Sequence, residues 1–137
     1  MSVEQNKSII RRFFTEVYSG NEAIVNELIH PEYKHYVFGW HVPEHDGPQG
    51  VMAHWRQWRE AFSDMRYDIK DLIGEGDKVV VRGLWTGTHQ GPFDDYPPTR
   101  RRISVEAASI YRLAGGKIVE EYELWDSEEF FRQIRED

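Results

Sequence analysis

Residues 101–126 read RRISVEAASIYRLAGGKIVEEYELWD. Ile103, Val105, Ala107, Ser109 and Tyr111 recur at every second position, the spacing of a strand with one buried face. Gly115-Gly116 supplies the two positive-φ positions of a tight hairpin turn. Ile118–Trp125 then returns as the antiparallel partner. The same period runs upstream. Met65, Tyr67 and Ile69 alternate with Arg66, Asp68 and Lys70, and Lys78–His89 carries Val79-Val80-Val81 into Leu84-Trp85. Four long strands therefore occupy most of the chain between residues 65 and 125.

Helices are expected on either side of this run. Ser2 and Gln5 have the spacing of a capping box, and Ile9, Ile10, Phe13, Phe14 and Val17 follow at helical spacing, so a helix is expected over 3–18. Asn21 is placed to cap a second, short helix carrying Ile24, Val25, Leu28 and Ile29. His30-Pro31 ends it, because proline drives the preceding residue out of the α region. Tyr33–Trp40 reads as a short aromatic strand, and a loop follows through Pro43, Gly47 and Gly50. Val51, Trp55, Trp58 and Phe62 mark one face of a third helix. Asp126–Arg135 reads as a last amphipathic helix on Phe130, Phe131 and Ile134. Helices set apart from a run of antiparallel strands mean an α+β fold. Long strands curve, helices cover the concave face, and the gap between them is a natural pocket.

Composition narrows the function. The 137 residues are expected to form a single domain, 1–137, without a separate cofactor domain. The absence of cysteine excludes disulfides, thiolate nucleophiles and Cys-ligated zinc. A net charge of −7 disfavours nucleic acid and anionic membranes. No apolar run approaches the length of a membrane span, and Met1–Ser8 lacks the apolar region of a secretory signal. The expected compartment is the cytoplasm. Aromatic residues make up 14% of the chain, so the pocket should be rich in rings.

Several segments in order resemble the SnoaL-like polyketide cyclase branch of the NTF2-like superfamily. They are Phe13-Phe14, Leu28-Ile29-His30-Pro31-Glu32-Tyr33, Gly47-Pro48-Gln49-Gly50-Val51 and Ala61-Phe62-Ser63-Asp64-Met65. Gly76-Asp77-Lys78-Val79, Gly87-Thr88-His89, Pro97-Pro98-Thr99, Gly116-Lys117-Ile118-Val119-Glu120-Glu121 and Trp125-Asp126 complete the set. The resemblance implies an α+β cone, a highly curved antiparallel sheet with helices closing its concave face over an apolar cavity. It also implies ring closure by intramolecular aldol chemistry without metal or cofactor. An Asp on the last long strand acts as the acid/base with histidines nearby, which here aligns Asp126, His89 and His35. The family carries Gly where this chain has Asp94-Asp95 before Tyr96-Pro97-Pro98-Thr99, and commonly again at Arg100.

The residues themselves permit other readings. Asp126 with Glu129 fits a helix capping box; as a carboxylate ending an apolar strand it would instead lose hydration and become a base near neutral pH. His89 reads either as a loop residue or as a donor to a developing enolate oxygen. Trp40, Trp55, Trp58, Phe62, Trp85 and Tyr122 are expected to line the pocket and to suit a flat apolar or aromatic small molecule. Glu106 and Glu120 could each supply a second buried carboxylate. His35, His41, His45 and Asp46 invite a metal reading, but Pro43 and Gly47 argue against a helix that would align His41 with His45. No metal site is therefore expected, and His54 and His30 read as surface residues. Arg100-Arg101-Arg102 reads as solvated. Apolar residues on both strand faces, as in Val79-Val80-Val81 and Ile118-Val119, point to a homodimer. The expected function is a cofactor-free acid/base enzyme acting on a carbonyl compound, most like an aldol-type polyketide cyclase. The alternatives are a non-catalytic ligand-binding or dimerisation module, or an isomerase, hydrolase or dehydratase on the same scaffold.

Overall fold

The computed structural model describes residues 1–135. Helix α1 (Val3–Arg12) opens the chain, and its capping box is formed. Gln5 N–H donates to Ser2 Oγ, and Ser2 N–H donates to the Gln5 side chain. The helix does not stay α-helical to residue 18. Phe13–Val17 form a wider π-helical stretch. Asn21 makes no capping hydrogen bond, and a 3₁₀ turn at Glu22–Ile24 leads into the short helix α2 (Val25–Leu28). Strand β1 (Ile29–Val37) begins before Pro31, which falls in the unpaired stretch between Ile29, paired with Ile118, and Lys34, paired with Glu120.

Phe38 and Gly39 both take positive φ, 51° and 83°, and reverse the chain into the two-residue strand β2 (Trp40–His41). No Asn-Gly or Asp-Gly signal announces that turn. A 3₁₀ turn at Pro43–His45 precedes α3 (Gly47–Ala61). Then come β3 (Arg66–Glu75), β4 (Lys78–Thr88), β5 (Arg102–Ala114), β6 (Lys117–Trp125) and α4 (Ser127–Arg135). The Gly115-Gly116 hairpin forms as its sequence requires, with φ of 56° and 81°.

The strands make one sheet in the order β2-β1-β6-β5-β4-β3. It is not wholly antiparallel, because β1 runs parallel to β6. The helices lie on its inner face, as an α+β cone requires. One core cluster joins α1, α2 and α3 to the strands through Ile10, Val25, Leu28, Val51, Val79, Val81 and Tyr111. A second joins α3 and α4 through Phe62, Trp85, Ile103, Phe130 and Ile134.

A β-bulge sets the chemistry of β6. Leu113 pairs with Ile118, but Arg112 pairs with Glu120, so one extra residue is inserted in β6. Strict alternation from Ile118 would turn Glu120, Tyr122 and Leu124 inward. The bulge reverses the phase beyond it. Glu121, Glu123 and Trp125 face the interior, while Tyr122 and Leu124 face outward. Asp94 and Arg100 sit at φ of 49° and 66°, a backbone region that favours glycine.

Candidate active site

The cavity between the sheet and α3 has a volume of about 190 Å³. Helix α3 contributes His54, Trp55 and Trp58; β3, β4 and β6 add Tyr67, Trp85 and Trp125, and Phe130 of α4 closes one end. Trp58 is the hub, with its ring centroid 5.4 Å from those of Trp85 and Phe130 and 5.9 Å from that of Trp125. These edge-on contacts hold the walls in place. Tyr18, just beyond the π-helical stretch, packs against Trp55 at 4.7 Å and also faces the cavity.

Glu123 is the carboxylate in this aromatic lining. His35 Nε2 donates to its Oε1 at 2.7 Å. Burial raises the Glu123 pKa, the hydrogen bond from His35 opposes this, and the charge of Glu121 adds to the rise; the net value lies above the ordinary carboxylate range. His35 is pulled down by burial, but the charge of Glu121 and the bond to Glu123 outweigh this and hold its pKa above the usual imidazole value. Behind the pair, buried Glu121 accepts hydrogen bonds from Tyr33 at 2.9 Å, Ser109 at 2.8 Å and Tyr111 at 3.1 Å. Three hydroxyl donors fix this carboxylate, whose nearer oxygen lies 3.9 Å from His35 Nε2. Both carboxylates also line a void of about 20 Å³, room for roughly one water.

With Nε2–H turned to Glu123, His35 Nδ1 accepts from His45 Nδ1 at 2.8 Å. The His45 ring lies 4.0 Å from that of His54. Burial lowers the pKa of both, and neighbouring histidines lower it further, so both are neutral imidazoles near neutral pH. Gly50 makes this approach possible. A Cβ at that position would lie 2.2 Å from the His45 carbonyl carbon, so only glycine lets α3 pack on the His45 turn.

The residues expected to act or to line the pocket divide sharply. His35, Trp55, Trp58 and Trp85 meet at the cavity. Phe62 is fully buried behind it, stacked on Trp58 at 5.7 Å. Trp40 is carried away by the turn at residues 38 and 39 and is 78% exposed. Tyr122 lies on the outer face, stacked on Tyr36 at 4.5 Å. His89 is buried under the loop after β4, its Nδ1 bonded to the Thr99 hydroxyl at 3.0 Å and its ring against Phe62. Burial lowers its pKa, and it is not part of the cavity lining. Glu106 is exposed beside Arg82, and Glu120 pairs with Arg112.

Asp126 caps α4. It is exposed, and its Oδ1 accepts from Glu129 N–H at 3.2 Å. Glu123, three residues earlier in the chain, is the carboxylate that faces inward there. Asp126→Asn is expected to leave both turnover and melting temperature unchanged, since Asn caps as well as Asp. Asp126→Ala should cost about 1 kcal/mol of stability. Turnover and thermal melts on both variants check this, and a large loss of turnover in folded Asp126→Asn would return the catalytic role to Asp126.

Comparisons with known proteins agree with this geometry. A family model for SnoaL-like polyketide cyclase matches residues 8–134. The chain is 29% identical over 130 residues to the aklanonic acid methyl ester cyclase DnrD of Streptomyces peucetius, covering 93% of this chain and 89% of that protein. The structure of TsrD from Streptomyces laurentii superposes with a TM-score of 0.87 at 26% identity, covering 98% of both chains. A SnoaL-like protein of Jannaschia sp. CCS1 gives a TM-score of 0.88 at 24% identity, covering 98% of this chain and 94% of that one, and shares the fold. With an α+β cone, an aromatic cavity and a family match over nearly its whole length, the chain belongs to the SnoaL-like polyketide cyclases.

Proposed function

We propose that this chain closes a carbon ring by intramolecular aldol addition on a flat, polyketide-derived carbonyl compound, with Glu123 moving the proton. The observation that carries this is a lone carboxylate in a lining of aromatic, aliphatic and histidine side chains, hydrogen-bonded by His35 at 2.7 Å and made more basic by burial. Glu123 takes the proton from a carbon α to a carbonyl. The resulting enolate carbon attacks a second carbonyl carbon of the same molecule, one C–C bond forms and one C=O π bond breaks. The new alkoxide takes a proton back, so the reaction is an isomerisation with no other reactant. The Tyr18 phenol, which burial keeps protonated, supplies a neutral donor for the enolate oxygen.

The relative from Streptomyces peucetius is named for aklanonic acid methyl ester, and a carbonyl compound of that kind is the one we extend to this chain. A cavity of about 190 Å³ is of the order of one that holds a single benzene ring, about 150 Å³. The reacting ring and its carbonyls fit inside, and any further rings extend from the mouth. The test uses an aromatic β-keto ester as probe. Quenching of tryptophan fluorescence reports binding, and deuterium uptake from solvent at the α carbon reports proton abstraction. Binding without exchange would replace the enzyme with a ligand-binding module.

The same reading includes a homodimer. Ile110 and Tyr122 are cross-strand partners on the outer face, and Leu124, 59% exposed, follows on the same side. Phe38 extends the patch, bonded through its N–H to the Glu123 carbonyl. A second copy of this chain would cover it. Light scattering at micromolar protein should give twice the chain mass, and Leu124→Asp should give the single-chain mass. A monomeric wild type would overturn the dimer.

A further inference from the structure

Three histidines from three separate elements converge on the cavity wall. His35 comes from β1, His45 from the turn at 43–45 and His54 from α3. One ligating nitrogen of each lies within 4.8 Å of the others, and His35 Nδ1 stands 2.8 Å from His45 Nδ1. Two nitrogens held by one ion at about 2.0–2.1 Å lie roughly 2.9–3.4 Å apart for bond angles between a right angle and tetrahedral. The observed spacing is within about 0.1 Å of that range.

The group behind the first ligand is also in place. His35 turns Nδ1 toward the cluster because its Nε2–H is committed to Glu123 at 2.7 Å. A carboxylate behind a ligating imidazole fixes its tautomer and strengthens it as a donor. The close packing of Gly50 on the His45 turn sets two of the three ligands relative to each other before anything binds. As a hydrogen-bonded pair, His35 and His45 leave both ring nitrogens of His54 without a hydrogen-bond partner among the described residues. A shared ion would use all three rings. The no-metal expectation took His54 for a surface residue. The fold instead turns His54 inward and removes His41 to Asp46, at 2.9 Å.

We propose that His35, His45 and His54 bind one divalent transition-metal ion, with its open coordination positions facing the aromatic cavity. An all-imidazole set suits zinc, iron(II), cobalt or nickel and not the oxygen-seeking magnesium or calcium. Adjacent carbonyl oxygens of a ligand would occupy the open positions. That last point rests on the proposed carbonyl substrate; the ion site stands without it.

The test is a cobalt(II) titration of untagged, chelator-stripped protein, read by visible d–d absorption without substrate. The wild type should saturate at one equivalent, with zinc displacing the cobalt. His45→Ala and His54→Ala should each weaken binding at least 100-fold, and Glu123→Gln should weaken it roughly 10–100-fold. His41→Ala should leave it unchanged. Circular dichroism confirms folding, and His54→Gln, which preserves bulk, decides if an alanine variant unfolds. No saturable cobalt band in folded wild type, or an undiminished band in both His54 variants, overturns the site. Neither result touches the acid/base reading, which is judged by turnover of Glu123→Gln. Full turnover there alongside cobalt binding would overturn that reading and leave the metal site standing.

Discussion

Glu123→Gln is expected to lower turnover by roughly 10²–10⁴-fold with KM nearly unchanged. The amide has the shape of the carboxyl group and can still accept the bond from His35 Nε2. It cannot carry a proton. The wild-type rate should fall toward acid along a limb above the usual carboxylate value of about 4.3, because burial raises the Glu123 pKa, and the variant should lack that limb. Stability should move the other way. A carboxyl group whose pKa is raised on folding stabilises the fold below its unfolded value, and that contribution is lost as pH rises through the folded value. At a pH above the folded value the wild type has lost it, whereas glutamine mimics the protonated group at every pH. The melting temperature should therefore hold or rise slightly there. Full turnover by a folded Glu123→Gln protein would remove Glu123 from the mechanism.

The long strands, the glycine hairpin and the aromatic face of α3 were legible because each is a local pattern. Period two, period 3.6 and paired glycines need no knowledge of distant residues. The site was less legible because two local irregularities decide it. The bulge near Val119 reverses which β6 residues face inward, so Glu121 and Glu123 enter the interior and Tyr122 leaves it. The turn at Phe38-Gly39 removes Trp40 from the strand that carries His35. Asp126 drew attention through its place after Trp125, yet a carboxylate one residue past the end of a strand is free to cap the next helix. One signal was available. Glu121, Glu123 and Trp125 share a strand face by spacing alone, so placing Trp125 inside places both carboxylates with it. The sequence already grouped His35 with His45, but the entry of His54 had no such signal, because it depends on the tertiary contact that Gly50 permits.

Phe130→Ala is expected to cost about 3–5 kcal/mol, the usual range for removing a fully buried aromatic ring, and to lower the melting temperature by roughly 10 °C or more. Phe130 is 0% exposed, with ring centroids 5.3 Å from Trp125 and 5.4 Å from Phe93 and Trp58. It joins α4 to the cavity wall. Without it, α4 is still held by Ile134, by Phe131 against Tyr96, by Arg101, which donates to the Gln133 and Ile134 carbonyls, and by the Gln133 side chain, which bonds the Ser104 backbone at 2.8 and 2.9 Å. Phe130→Leu keeps most of the volume and should cost less than half as much. The two substitutions should also separate in chemistry. Opening this end of the cavity admits water beside Glu123 and weakens the desolvation that raises its pKa. The acid limb of the rate profile should then shift toward the ordinary carboxylate value in Phe130→Ala and stay near the wild-type position in Phe130→Leu. Denaturant or thermal melts together with the pH–rate profile check both effects. An alanine variant that melts with the wild type would show that α4 is not what seals the cavity.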